Sequence, residues 1–208
     1  MHDLVNDLAT SVAGEFSFRL DGEVDISDMN ENSDKFRHIS LVGRGSGSYR
    51  KFTELQRAKY LRTFLVMSDA LEKDGFLDKV LLELQFLRVL SVVGLNDMYG
   101  DSQIIRKVPE SIGNLKHLRY LNFSYSRITC LPEEVSELYN LQTLLVHDCD
   151  KLCSLPKNFA KLINLRHLDI SYTPKLKKMP LGIGGLTSLQ TLTKVIIEEG
   201  RLFGQGSS

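Results

Sequence analysis

Seven consecutive residues, HDCDKLC at 147–153, bring together His147, Asp148, Cys149, Asp150 and Cys153. Imidazole, thiolate and carboxylate groups are zinc ligands, and a zinc site needs four of them converging on one point. The spacing works against convergence. His147 is the last outward position of its strand, Cys149 lies past the strand at a repeat position where a small side chain turns to the core, and Cys153 falls in the turn beyond. A metal is not expected. GRGSGS at 43–48 raises a second chemistry, the cradling of a phosphate. It departs from the G-x-x-x-x-G-K-[ST] pattern, and no lysine follows where the phosphates would need one. A loop between strands is the expectation. G-x-S-x-G, H-E-x-x-H and a Cys/His nucleophile pair are missing, so no catalytic residue is expected.

The elements that position these residues recur along the chain. Pro109, Pro132, Pro156 and Pro180 are spaced by 23, 24 and 24 residues. Each is followed by an apolar residue three positions on (Ile112, Val135, Phe159, Ile183) and a leucine after three more (Leu115, Leu138, Leu162, Leu186). A second block follows: LRYLNF, LQTLLV, LRHLDI, LQTLTK. The same block occurs upstream as FRHISL, LRTFLV and LRVLSV, giving starts at 36, 61, 87, 118, 141, 165 and 189. The longest interval, 31 residues, holds the polar insertion GLNDMYGDSQ. A period of about 23–26 with L-x-x-L-x-L is the leucine-rich-repeat pattern. One turn cannot bury its own apolar face, so neighbouring turns must stack.

In LRYLNF, Leu118, Leu121 and Phe123 are expected inside, and Tyr120, Asn122 and Ser124 outside. The chain then re-enters the core at Ile128 and Leu131 and returns through a helical or 3₁₀ segment whose inward residues are Val135 and Leu138. Ser126, Cys149 and Thr173 share one repeat position, where a small side chain can bond the backbone. The outward positions form rows across a parallel sheet. One is Val89, Tyr120, Thr143, His167 and Thr191. The next is Ser91, Asn122, Leu145, Asp169 and Thr193. The third is Val93, Ser124, His147 and Ser171. This concave, mixed polar and aromatic surface suits a partner protein.

Composition narrows the class. Lys+Arg and Asp+Glu number 26 each among 208 residues, so the net charge is zero. That gives no bulk attraction to nucleic acid or an anionic membrane. Three cysteines form no even-numbered framework, and a reducing compartment is expected. Cys130 and Cys153 lie one position out of register in adjacent turns; a disulfide between them is conceivable but not expected there. The first 15 residues carry Asp3, Asp7 and Glu15 without Lys or Arg, unlike a signal peptide. No apolar run approaches the roughly 18 residues of a membrane span. A soluble, cytoplasmic protein is the expectation. DGEVDISDMNENSD (21–34) holds six acids and no base, and reads as a solvated linker.

The opening, MHDLVNDLATSVAGEF, places Met1, Leu4, Val5, Leu8, Val12 and Ala13 at helical spacing. MHDLVNDLA resembles the M-H-D motif of plant intracellular immune receptors of the nucleotide-binding, leucine-rich-repeat type, coiled-coil class. FRHISL, AKYLRTFLV, LRVLSV, the run from ESIGNL to LLVHDC, and LTSLQTL resemble the N-terminal repeats of that family. The resemblance implies that His2 contacts a nucleotide phosphate and that Asp3 supports its loop. No phosphate-binding loop, Walker-type aspartate or coiled coil precede them here, so ADP or ATP is expected only in a full-length relative. Met1 being the motif's own methionine reads as a truncated product or an internal start.

The expected fold is an α/β solenoid, a leucine-rich-repeat horseshoe with a parallel sheet on its concave face. A remnant of a winged-helix domain is expected at 1–20, an acidic linker at 21–35, about seven repeats at 36–197 and a disordered tail at 198–208. The resemblance implies a non-enzymatic recognition module in plant defence. Its partners would be a pathogen effector, a guarded host protein or its own nucleotide-binding domain, contacted through Val89, Ser91, Tyr120, Asn122, Ser124, Thr143, Leu145, His147, His167, Asp169 and Ser171. The alternative is an intracellular scaffold or adaptor with the same LPxxIxxL rhythm.

Overall fold

A computed structural model describes residues 16–21, 35–43, 58–68, 76–94 and 105–196. Among these residues eight parallel strands form one open sheet in sequential order. They are β1 (Ser17–Asp21), β2 (His38–Gly43), β3 (Thr63–Ser68) and β4 (Val89–Val93), then β5 (Tyr120–Asn122), β6 (Thr143–Leu145), β7 (His167–Asp169) and β8 (Thr191–Leu192). The repeat period explains why. Each L-x-x-L-x-L block contributes a short strand, and each return segment carries the chain back to begin the next strand in the same direction. One backbone link recurs between successive blocks. The N–H of Arg62 donates to the carbonyl of Arg37, and Arg88 to Arg62, Arg119 to Arg88, Gln142 to Arg119, Arg166 to Gln142 and Gln190 to Arg166, all at 2.7–2.8 Å. The second residue of every block is thus in register with the second residue of the next.

The sheet has one strand more than the seven blocks supply. β1 pairs with β2 from Ser17 opposite His38 to Asp21 opposite Val42, and the Arg37 N–H donates to Phe16 O at 2.9 Å. Residues 16–21 therefore belong to the sheet, not to the end of a winged-helix remnant. A parallel strand needs only backbone partners on one side, so FSFRLD joins without the leucine pattern of the later blocks.

Among the described residues, five return segments lie behind the sheet. One is an α-helix, α1 (Phe76–Glu83). Four are 3₁₀ turns, at Glu110–Asn114, Glu133–Glu137, Phe159–Lys161 and Ile183–Gly185. Pro109 and Pro132 stand immediately before the first two with φ of −73° and −66°, the value the pyrrolidine ring imposes. The core runs along the stack between sheet and returns. Leu118, Leu121, Phe123, Ile128, Val135 and Leu138 are fully buried, and Leu131 nearly so. Their counterparts Leu141, Leu144, Leu165 and Leu168 are fully buried in the next two turns. Each contributes about 1.5–3 kcal/mol.

Polar side chains tie turn to turn. Asn140 Nδ2 donates to Lys116 O at 2.8 Å and Asn164 Nδ2 to Tyr139 O at 2.7 Å. The Glu133 carboxylate accepts the Lys157 N–H at 2.8 and 3.0 Å. Among the described residues no helix is long and apolar enough to cross a membrane. The opening helix, most of the acidic stretch, GRGSGS beyond Gly43 and the tail from 197 lie outside the described residues.

Candidate protein-recognition surface

The three outward rows exist as the pattern requires. Val89, Tyr120, Thr143, His167 and Thr191 stand opposite one another in successive strands, as do Ser91, Asn122, Leu145 and Asp169. The third row is held by the Tyr125 N–H on His147 O at 2.9 Å and the Asp148 N–H on Ser171 O at 3.0 Å.

Exposure along these rows departs from expectation. Ser91, Asn122 and Ser124 are buried although they lie on the outward face. They are short side chains between strands only about 4.8 Å apart, and Asn122 folds back so that its Oδ1 accepts the Ser124 N–H at 2.9 Å. Val89, Tyr120, Thr143, Leu145 and His167 are half-buried. Polar character outside the core is concentrated one strand further on.

There Asp169 accepts three hydrogen bonds on Oδ1, from the Ser171 N–H at 3.0 Å, the Ser171 hydroxyl at 2.5 Å and the Thr193 hydroxyl at 2.7 Å. His147 Nδ1 sits 2.7 Å from Ser171 Oγ and 3.9 Å from Asp169 Oδ2. Partial burial opposes ionisation of Asp169, but the bonds from Ser171 and Thr193, with nearby His147, outweigh it and hold the carboxyl below its usual range. Serine, histidine and aspartate in contact suggest acyl-transfer chemistry. A nucleophilic serine must direct its proton at the base, whereas the Ser171 hydroxyl donates to the carboxylate. The group is a brace across three strands.

Two rings flank the brace. His147 packs edge-on against Tyr125, with centroids 5.2 Å apart, and against Tyr172 at 5.1 Å. Tyr172 is 72% exposed. Tyr125, Asp148 and Tyr172 occupy the same repeat position and all hold positive φ, 59°, 53° and 53°. This region is costly for a side chain larger than Asn or Gly. The rows of alternating positions stop one residue short of both tyrosines. SYS at 124–126 and SYT at 171–173 were the available signal.

The cysteines separate as their positions require. Cys149 is fully buried, its thiol bonding Phe123 O at 3.2 Å and Ser126 Oγ at 3.4 Å. Burial pushes the thiol pKa up, and the bonds with Ser126 only partly offset that. Thr173 fills the same role two turns on from Ser126, donating to Ile170 O at 2.6 Å. Cys153 is exposed with its thiol on Thr129 O at 3.1 Å. Cys130 is exposed, and it bridges Ser154, not Cys153, so the two are unpaired thiols one position out of register. His147, Cys149 and Cys153 thus point to three different places. His2 and Asp3 lie outside the described residues.

With this geometry in place, comparison with known proteins is decisive on family. Residues 60–203 match the profile of a leucine-rich repeat region. The chain belongs to the leucine-rich-repeat family. This repeat chain is 43% identical over 154 residues, 73% of its length, to a protein of Arabidopsis thaliana named as a disease resistance protein, At3g14460. It is 36% identical over 151 residues, 70% of its length, to the Arabidopsis thaliana protein named as disease resistance RPP13-like protein 1. It spans only 10% and 13% of the lengths of those relatives. Among solved structures, a TDR receptor covers 92% of the chain and is covered over 32% of its own length, with a TM-score of 0.56 at 19% identity. That likeness concerns the fold.

Proposed function

We propose that this leucine-rich-repeat chain is a protein-recognition module of plant defence, and that its contact surface centres on Tyr125, His147 and Tyr172. The observation that carries the reading is the pair of tyrosines held at positive φ against one histidine. Backbone strain of about 1–3 kcal/mol persists only where something else requires it. Asn or Gly would relieve it, and neither would supply a ring. Exposed tyrosines beside a rigid polar brace are the composition of binding hot spots. The similarity to disease resistance proteins supports the defence setting. The reading places the module in the cytoplasm and assigns it no reaction of its own. Its partner is a pathogen effector, a guarded host protein or the nucleotide-binding domain of a full-length relative, and ADP or ATP belongs to that relative.

The test places these repeats in a full-length disease resistance relative and replaces Tyr125, His147 and Tyr172 together by Ala. Cell death is then measured with and without a matching effector. Loss of triggering, or triggering without effector, supports the proposal. Unchanged behaviour in both conditions, with the receptor accumulating normally, refutes it.

A further inference from the structure

A second surface lies at the opposite end of the strands, where each block begins. Arg37, Arg62, Arg88 and Arg119 each stand immediately before a strand, β2 to β5, and are linked in series by the backbone bonds described above. Two residues before Arg62, Arg88 and Arg119, just ahead of each block, come Tyr60, Phe86 and His117. Those rings stack in a row, Tyr60 on Phe86 at 6.0 Å and Phe86 on His117 at 6.1 Å. The Arg37 guanidinium caps the row, 5.3 Å from the Tyr60 centroid, while its Nη1 donates to Phe36 O at 3.2 Å. Arg37, Tyr60, Arg62, Phe86, Arg88 and His117 line a groove of about 300 Å³.

Tyr60 and Phe86 are half exposed, at 51% and 50%, and Arg62 and Arg88 are exposed. Among the described residues no carboxylate lines the groove. Among the described residues neither Arg62 nor Arg88 takes part in an ion pair. The Arg62 and Arg88 guanidiniums therefore lie beside an exposed aromatic ledge. The field reaches His38, whose imidazole is held below its ordinary value by burial and by the charges of Arg62 and Arg37.

We propose that this groove docks an extended acidic peptide segment of a partner protein, carrying carboxylates for the arginine row and an aromatic side chain for the ring ledge. Guanidinium forks pair carboxylates bidentately, and Arg beside Tyr is the composition of a protein-contact hot spot. A polyanion such as single-stranded nucleic acid fits less well. Its affinity rests on accumulated positive charge, and this chain has a net charge of zero. The site is independent of the tyrosine–histidine cluster at the other strand ends.

The probe is a fluorescein-labelled peptide, Glu-Glu-Tyr-Glu-Glu-Tyr-Glu-Glu, titrated with the full chain and read by fluorescence polarisation. Saturable binding that weakens with added salt is expected. Arg62→Glu with Arg88→Glu should weaken it at least about tenfold, and Arg62→Gln with Arg88→Gln, which removes charge without reversing it, nearly as much. Phe86→Ala should weaken it several-fold, and Tyr172→Ala should leave it unchanged. Melting curves identify any variant that fails to fold; the remaining variants then decide. Binding that is absent, or indifferent to the folded variants, overturns the proposal. So does equal binding of the peptide with Lys in place of Glu. Displacement by oligothymidylate at lower concentration than by unlabelled peptide overturns it in favour of nucleic acid.

Discussion

His147 Nδ1 lies 2.7 Å from Ser171 Oγ, and the same hydroxyl donates to Asp169. One serine thus joins the sixth strand's exit to the seventh strand's carboxylate. The consequence for stability is that Asp169 is not a free solvent-facing residue, as its outward position implies. Leu168→Asp places an unpaired charge in a fully buried site and should cost at least about 3 kcal/mol. Asp169→Ala removes the acceptor of three hydrogen bonds and should cost about 1–2 kcal/mol. Denaturant melts of both variants check the ranking; a reversed order would displace the register of every turn.

Asp169 also gives a pH dependence with a fixed sign. Its carboxyl is held below the ordinary value of 3.8. A depressed carboxylate stabilises the fold above its unfolded value and loses that contribution as pH falls through the folded one. The difference in melting temperature between the wild type and Asp169→Asn should therefore be constant from pH 7 to about 5 and shrink below about pH 4. A gap that widens on acidification would contradict the assignment of these bonds to the ionised form.

Gly113 sits where a Cβ would approach the Glu134 Cβ to 2.8 Å and the Glu134 carbonyl to 3.2 Å. Gly113→Ala must push two adjacent turns apart and should destabilise by about 1–3 kcal/mol. Gly184→Ala, with nothing within 4 Å of the added atom, should be close to neutral. Equal losses at both positions would mean that the turns are not packed as described.

Three thiols should divide two to one. Cys130 and Cys153 are exposed, and Cys149 is buried, which pushes its thiol pKa up and disfavours the thiolate. The thiolate is the reactive form, so native protein should titrate two thiols rapidly with an aromatic disulfide reagent and the third only on unfolding. Rapid reaction of all three would place Cys149 outside the core.

The sequence made the core legible because burial is periodic: Leu121, Leu144 and Leu168 recur at one position of a repeat of about 24 residues, and all three are fully buried. The parallel register followed, since equal periods leave each row facing the next. β1 was hidden because FSFRLD carries no L-x-x-L, and parallel pairing asks only for backbone. Exposure within the rows was not legible either. Asn122 and Asp169 occupy equivalent positions, yet Asn122 is buried while Asp169 is half-buried beside Thr193 and His147. Positive φ at Tyr125 and Tyr172 left no trace in residue type, because the residues that ordinarily mark it are Gly and Asn.

The central claim is that partner contact falls at the strand exits around Tyr172. The most direct measurement is site-specific photo-crosslinking in plant cells. A benzophenone amino acid replaces Tyr172 or, as a control, Leu181, which is 83% exposed just before the 3₁₀ turn Ile183–Gly185 on the other side of the stack. The account predicts a discrete crosslinked protein adduct from position 172, abolished by His147→Ala with Tyr125→Ala, and none from 181. An adduct from 181 with none from 172 would contradict it.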